Sequence, residues 1–188
     1  MSMRKTPPHP LGVRNRADIL LLAVERQQER CTAPIPSGPL GPDVEIYVRT
    51  VVEHMTDIDL FIVVLYRLLR LAEWAALAPF ATDELRREVA AFKKSVPHLR
   101  EMRDTQEHFD DYGGGVGKRQ RDGEPQSGWG YSASTTGGIV SYGDFKLDIG
   151  AATRAANGLH RAIRSAVDPL AARDIHGGPE TIILPLSS

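Results

Sequence analysis

The sequence has a single cysteine, and its charges almost cancel. Because Cys31 has no second cysteine to join, an intramolecular disulfide and the CxxC motifs of zinc and redox sites are excluded. Lys and Arg number 23 against 24 Asp and Glu, a net charge of -1, so the whole chain is not a polycation. Any binding of nucleic acid therefore needs a local basic patch. A lone cysteine fits a reducing compartment, which favours a cytoplasmic location.

Long apolar runs are missing as well. The longest, residues 60–71, is interrupted by Arg67 and Arg70 and falls short of the about 20 apolar residues of a membrane span. A second run, residues 19–24, is too short for a secretory signal and lacks a small-residue cleavage site. We therefore expect no membrane association.

The apolar residues that are present recur every three or four positions, as on the buried face of an α-helix. This spacing predicts helices over residues 15–30 and 43–77, a third helix from the N-cap Thr82 to the glycines at 113–115, and a fourth over residues 150–167. Pro97 interrupts the third helix, which either kinks there or restarts with Ser95 as a cap. For the fourth helix we expect Asp148 as the cap and Pro169 as the end.

The one β-like stretch covers residues 129–149. It contains two turn signals of the hairpin type, Gly137-Gly138 and Gly143-Asp144. A hairpin or three-stranded meander of this size cannot fold alone and must pack on the helices. The expected fold class is therefore mainly α: a four-helix bundle with a small β-hairpin or meander inserted before the last helix.

The chain is expected to form one domain with short extensions. A flexible basic arm covers residues 1–13, the helical-bundle domain covers 14–168, and a C-terminal tail covers 169–188. Inside the domain, residues 113–127 form a flexible loop and 128–149 the hairpin. The apolar segment Ile182–Leu186 of the tail is expected to dock, either on its own bundle or on a protein partner.

A short stretch of the third helix suggests chemistry, because it holds Arg103, Asp104 and His108. An imidazole can take and return a proton near neutral pH, and a guanidinium matches the oxygens of a phosphate. The stretch has an arginine, a polar residue directly after it and a histidine after four intervening residues. This pattern on a late helix of a bundle resembles the R-x4-6-H motif of the HEPN family. The resemblance covers these three residues and the coarse architecture of residues 15–168.

The resemblance implies a function. Members of the HEPN family are four-helix bundles, often homodimers with the two motifs facing each other, and many are metal-independent endoribonucleases. Others are inactive partners or nucleotide-binding modules. By this resemblance His108 is the general base or acid at a ribose 2′-hydroxyl, Arg103 holds the scissile phosphate, and Asp104 orients one of the two.

Two other interpretations of the same residues stay open. Arg100 with Asp104, Arg103 with Glu107, and Asp104 with His108 are pairs four apart, as on a solvated helix face. The other interpretation is a metal-binding bundle, for which His54 and His108 are the candidate ligands.

The basic loop is a further candidate for RNA. Lys118, Arg119 and Arg121 are placed to meet RNA phosphates near His108, although ordinary loop charge has the same appearance.

We thus expect a metal-independent, cofactor-free endoribonuclease that acts on single-stranded RNA through a dimeric Arg/His site. A non-enzymatic homodimeric or partner-binding helical module is the main alternative, and a metal-binding bundle the third.

Overall fold

The structure, a computed structural model, describes residues 9–33, 44–107, 138–142 and 145–176. The elements in chain order are α1 (Pro10–Cys31), α2 (Val44–Ala75), α3 (Asp83–Ser95), α4 (Leu99–Glu107), β1 (Ile139–Tyr142), β2 (Phe145–Asp148) and α5 (Ile149–His176). The predicted fold class is confirmed: the protein is mainly helical, with a two-stranded antiparallel hairpin directly before the last helix. The predicted loop at 113–127 and the segment Ile182–Leu186 lie outside the described residues.

The first helix begins at Pro10, inside the range predicted as an arm. Proline suits the first helical position because its φ is preset and its missing N–H would have had no partner there. The backbone N–H of Val13 donates to the His9 carbonyl at 3.1 Å. Since Val13 and Ala17 are buried, packing of the first turns extends the helix toward the N-terminus.

The second helix is continuous over 32 residues, as its spacing predicts. Its predicted buried stripe is confirmed wherever side chains are described, since all of these residues are buried: His54, Ile58, Phe61, Leu65, Leu68, Ala72 and Ala75.

The third predicted helix is two helices. Thr82 caps α3 as predicted, because its hydroxyl accepts a hydrogen bond from the Leu85 N–H at 3.2 Å. The chain neither kinks at Pro97 nor restarts with Ser95 as a cap. Proline disfavours the helical conformation at the preceding residue, and His98 takes a left-handed conformation (φ 64°) that redirects the chain into α4.

The hairpin is fastened to this corner and to the bundle. Val140 pairs with Leu147 in the register of the two strands, and both side chains are buried. The ring of Phe145 stacks on that of His98, with the centroids 4.9 Å apart. The described residues form two strands, which correspond to the predicted hairpin; they include no third strand that would make a meander.

The last helix begins as predicted but ends later. The Asp148 carboxylate accepts a hydrogen bond from the Ala151 N–H at 2.7 Å, which confirms the cap. The prediction that Pro169 ends the helix is wrong, since α5 continues to His176. Pro169 is exposed, and the turn before it is held by buried Ala166 and Val167, which offsets the lost backbone hydrogen bond.

Side-chain pairs give the helix directions. Arg30 of α1 binds Asp57 of α2 at 3.0 Å, while the first turns of α1 face the last turns of α2, so these helices are antiparallel. Asp18 meets His160 and Arg14 meets Asp168, so α1 and α5 are antiparallel too. Near α3, Ser165 donates to Glu84, and Lys93 binds Glu73 of α2 at 2.6 Å. Together the helices enclose one apolar core.

Candidate functional site

Arg103 lies on α4, where packing fixes its direction. Leu99 and Met102 of the same short helix are buried in the core. The guanidinium of Arg103 lies 5.1 Å from the centre of the Tyr66 ring of α2. A cation over an aromatic face is attracted by the negative charge of that face, by roughly 0.5–1 kcal/mol at a partly exposed site. Arg103 is therefore held against α2.

Asp104 is the second contact of this guanidinium. Its Oδ1 accepts a hydrogen bond from Arg103 Nη1 at 3.0 Å, and Arg100 Nε lies 3.7 Å from its Oδ2. The Arg103 side chain is 29% exposed, so one side of the guanidinium is covered while solvent still reaches it. This arrangement orients an arginine without burying it, as phosphate binding requires.

The structure describes only part of the predicted site. Arg103 and Asp104 are in contact, whereas His108 and the loop residues Lys118, Arg119 and Arg121 lie outside the described residues.

Arg103 also lines an open groove of about 1230 Å³ between α1 and α2. The antiparallel pairing places residues 12–20 of α1 opposite residues 63–74 of α2 and Leu77 in the turn after it. Three further arginines line this groove: Arg16, Arg67 and Arg70. The spacing within one helix did not predict the groove, since its two walls are about 50 residues apart in sequence.

The groove carries more positive charge than the chain as a whole. Four arginines line it together with one acidic residue, Glu73, which gives +3 against -1 for the chain. Burial raises the pKa of Glu73, but hydrogen bonds and charges of Lys93 and Arg70 lower it more, so the carboxylate stays ionised. Within the described part of the chain, Arg16 and Arg67 form no ion pair, so their charges face solvent. Such a groove attracts anions.

Aromatic and apolar side chains share this surface. Tyr66, Arg70 and Trp74 are four residues apart in α2 and thus follow one face of the helix. Trp74 is 43% exposed, and Ile19 and Leu77 are more exposed still. An exposed indole beside arginines is suited to a ligand that combines flat rings with negative charge.

A second charged cluster joins α1 to α5 and was missed by sequence reasoning. His160 lies in α5 with its side chain 16% exposed, and its Nε2 is 2.7 Å from Asp18 Oδ1. Arg164 donates to both oxygens of Asp18 at 3.1 Å and to Asp168 at 3.0 Å. Arg14 Nε lies 3.2 Å from Asp168 without hydrogen-bond geometry.

The contacts within this cluster shift the pKa values of Asp18 and Arg164. Burial raises the pKa of Asp18, but hydrogen bonds from His160 and Arg164 outweigh it and hold the value below 3.8. Hydrogen bonds to Asp168 and Asp18 raise the pKa of Arg164. Asp18 and Arg164 are thus charged partners at neutral pH, and they connect two helices rather than line the groove.

The metal-binding interpretation has no cluster of ligand side chains among the described residues. His54 is buried, and its Nε2 has no hydrogen-bond partner among the described residues. In that same part of the chain, no group of three or more His, Cys, Asp or Glu side chains is placed to hold a metal ion. The other candidate ligand, His108, is not described.

Comparisons with known proteins find no relative. No protein-family model, no curated protein and no solved structure matches the chain. Among the helices described, none has both the length and the apolar character needed to cross a membrane.

Proposed function

We propose that the protein is a HEPN-like, metal-independent endoribonuclease that cuts single-stranded RNA with Arg103 and His108 of two subunits. The observation that carries this proposal is the position of Arg103. Its guanidinium is oriented by Tyr66 and Asp104 and lines a groove with three other arginines. The pair of Arg100 with Asp104 that a solvated helix face predicts is also formed, but it accounts neither for the contact of Arg103 with Tyr66 nor for its place in the groove.

The proposed reaction needs only groups of this chain and the RNA. His108 takes the proton of a ribose 2′-hydroxyl, and the 2′-oxygen attacks the neighbouring phosphorus. The bond from phosphorus to the 5′-oxygen breaks, and a protonated His108 returns a proton to that oxygen. The products are a 2′,3′-cyclic phosphate and a 5′-hydroxyl. Arg103 stabilises the negative charge that develops on the phosphate oxygens, and Asp104 keeps the guanidinium in place.

The groove favours a single strand over a duplex. Unpaired bases expose flat faces that stack on aromatic side chains, whereas duplex bases are already stacked. Trp74 offers such a face beside Arg70. The proposed enzyme is a cytoplasmic homodimer, and the buried thiol of Cys31 suits a reducing compartment.

The test is RNA cleavage in the presence of EDTA. Wild-type protein should cut mixed single-stranded RNAs and leave 2′,3′-cyclic phosphate ends. His108→Ala should lose roughly 100-fold or more of the rate, as expected for a general acid–base group. Arg103→Ala should lose a similar factor, as expected when a charge-stabilising donor is removed.

Arg49→Ala is the matched control, because Arg49 is equally charged and 79% exposed. It lies 18 residues before Arg67 in α2, about 27 Å along the helix. This variant should keep the wild-type rate. Absence of cleavage at micromolar protein, or unchanged cleavage by both His108→Ala and Arg103→Ala, would overturn the proposal.

A second candidate is a non-enzymatic module that binds a second copy or a protein partner. Exposed apolar side chains on the two groove helices and in the turn after α2 favour it: Ile19, Leu22, Trp74 and Leu77. Light scattering after gel filtration measures the oligomeric state. A dimer that leaves RNA intact supports this module, whereas a dimer that cuts RNA supports the ribonuclease.

A further inference from the structure

We propose that the groove between α1 and α2 is a track for about two to three nucleotides of single-stranded RNA beside the cleavage centre, with Trp74 as the platform for a base. This inference deepens the proposed function and rests on it for the choice of RNA. It assigns roles to Arg16, Arg67 and Trp74, none of which belongs to the Arg/His motif.

The length of the track follows from α2. Tyr66 holds Arg103 at one end of the groove, and Trp74 lies eight residues further along the same helix, about 12 Å away. One nucleic-acid strand rises about 3.4 Å per nucleotide in a duplex and more when it is extended. The distance therefore accommodates about two to three nucleotides between the guanidinium of Arg103 and the indole of Trp74.

The charges lie along both walls of this track. Arg16 stands on α1, and Arg67 and Arg70 on α2. Arg70 is neutralised in part by Glu73, with 2.6 Å between its Nη1 and the carboxylate. Arg16 and Arg67 have no ion-pair partner among the described residues, so they are the arginines that phosphates would neutralise.

The aromatic platform distinguishes RNA from an acidic peptide. Phosphates and carboxylates both suit arginines, but a carboxylate side chain offers nothing to an exposed indole ring. A nucleotide supplies a base to the ring and a phosphate to the neighbouring arginine at the same time. Hence we assign the groove to nucleic acid and treat the acidic peptide as an outcome of the test.

Gly12 provides a way to repel RNA from the track without damaging the fold. It lines the groove, and a Cβ at this position would have no atom within 4 Å. It lies in the first turn of α1, where an acidic side chain favours the helix. Gly12→Glu therefore places a negative charge in the groove of a folded protein, and Gly12→Gln is the matched neutral control.

The experiment measures binding apart from cleavage. A fluorescein-labelled ten-nucleotide oligouridine with 2′-O-methyl groups cannot be cut, so fluorescence anisotropy in EDTA reports affinity alone. Gly12→Glu should weaken binding at least fivefold, while Gly12→Gln and Arg49→Ala stay within twofold of wild type. Trp74→Leu should weaken it roughly 5- to 100-fold, the range for loss of one stacked base.

Salt dependence tests the arginines. On a logarithmic plot of affinity against salt concentration, Arg67→Ala should reduce the slope by about 0.7, since one phosphate contact to a single strand is lost. Arg49→Ala should leave the slope unchanged.

The outcomes separate the track from the ribonuclease. If Gly12→Glu and Trp74→Leu weaken binding but the wild type does not cut ordinary RNA, the track is supported and the ribonuclease is overturned. Cleavage by the wild type with affinities that none of these variants changes overturns the track alone. Two results would overturn the assignment to single-stranded RNA. One is that the protein binds a duplex of the same length with equal affinity. The other is that it binds an oligoglutamate with equal affinity and that Trp74→Leu does not weaken this binding.

Discussion

Asp18 is the carboxylate through which α1 holds α5, and Asp18→Asn should lower the free energy of unfolding by about 1–2 kcal/mol. Its Oδ1 lies 2.7 Å from His160 Nε2, and both oxygens accept hydrogen bonds from Arg164 at 3.1 Å. Hydrogen bonds to a charged group contribute about 1.5–3 kcal/mol. Because the Asp18 side chain is 38% exposed, solvent screening places the expected loss below the upper part of that range.

The size of the chain converts this loss into a melting temperature. One kcal/mol shifts the Tm of a domain of 150–250 residues by about 2–4 °C, so Asp18→Asn should melt about 2–8 °C below wild type at pH 7. Urea unfolding followed by circular dichroism gives the same comparison as a free energy.

The pH dependence of this difference has a definite sign. The pKa of Asp18 in the folded protein lies below its ordinary value of 3.8. A carboxylate with a lowered pKa stabilises the fold fully above its unfolded pKa, and this contribution disappears as the pH falls through its folded pKa. The stability difference between wild type and Asp18→Asn should therefore shrink as the pH falls below 3.8.

Glu53→Gln is the control for removal of a carboxylate charge. Glu53 pairs with Arg49 at 2.9 Å inside α2 and is exposed, so its loss should change the stability by less than about 0.5 kcal/mol. If Asp18→Asn unfolds at the same urea concentration as wild type at pH 7, the cluster does not stabilise the fold and this reasoning is refuted.

Three further predictions concern other parts of the fold. Phe61→Ala should cost about 3–5 kcal/mol in urea unfolding, because the ring is fully buried and its removal leaves a cavity; a loss below 1 kcal/mol would contradict the described core. Asp148→Ala should cost about 1 kcal/mol in thermal unfolding, the usual effect of losing an N-cap, here the bond to the Ala151 N–H. Burial and the charge of Asp57 raise the pKa of Cys31 to about 12, so a thiol reagent at pH 7 should react no faster than the chain opens, and stopped-flow labelling in urea measures this.

The helices could be predicted where burial alone decides them. The stripe from Ile58 to Ala75 of α2 repeats every three or four residues, and each of its predicted members is buried. Pro97 and Pro169 show where local rules fail. The first proline breaks the helix by way of a left-handed His98, and the second leaves α5 intact because tertiary packing holds the turn around it.

The candidate site was predictable only within one helix. A motif search finds Arg103 and Asp104 because they are neighbours in sequence. It does not find His160, since Asp18, the partner that gives this histidine its role, is 142 residues away. Tyr66 also lies far from Arg103 in the sequence, on a different helix, although the two side chains are in contact.

The requirements of the core do not determine which charged residues line the groove. The core requires apolar residues at Phe61, Leu65 and Leu68, and these positions determine which face of α2 points outward. They place no demand on Arg67, whose exposed charge would serve the bundle equally well as glutamate or lysine. Arg16 and Arg67 have no ion-pair partner among the described residues, so the repulsion between their charges is not offset within the groove. The proposed binding of phosphates would gain from this positive charge, and the affinity of the Gly12→Glu variant for RNA measures that gain.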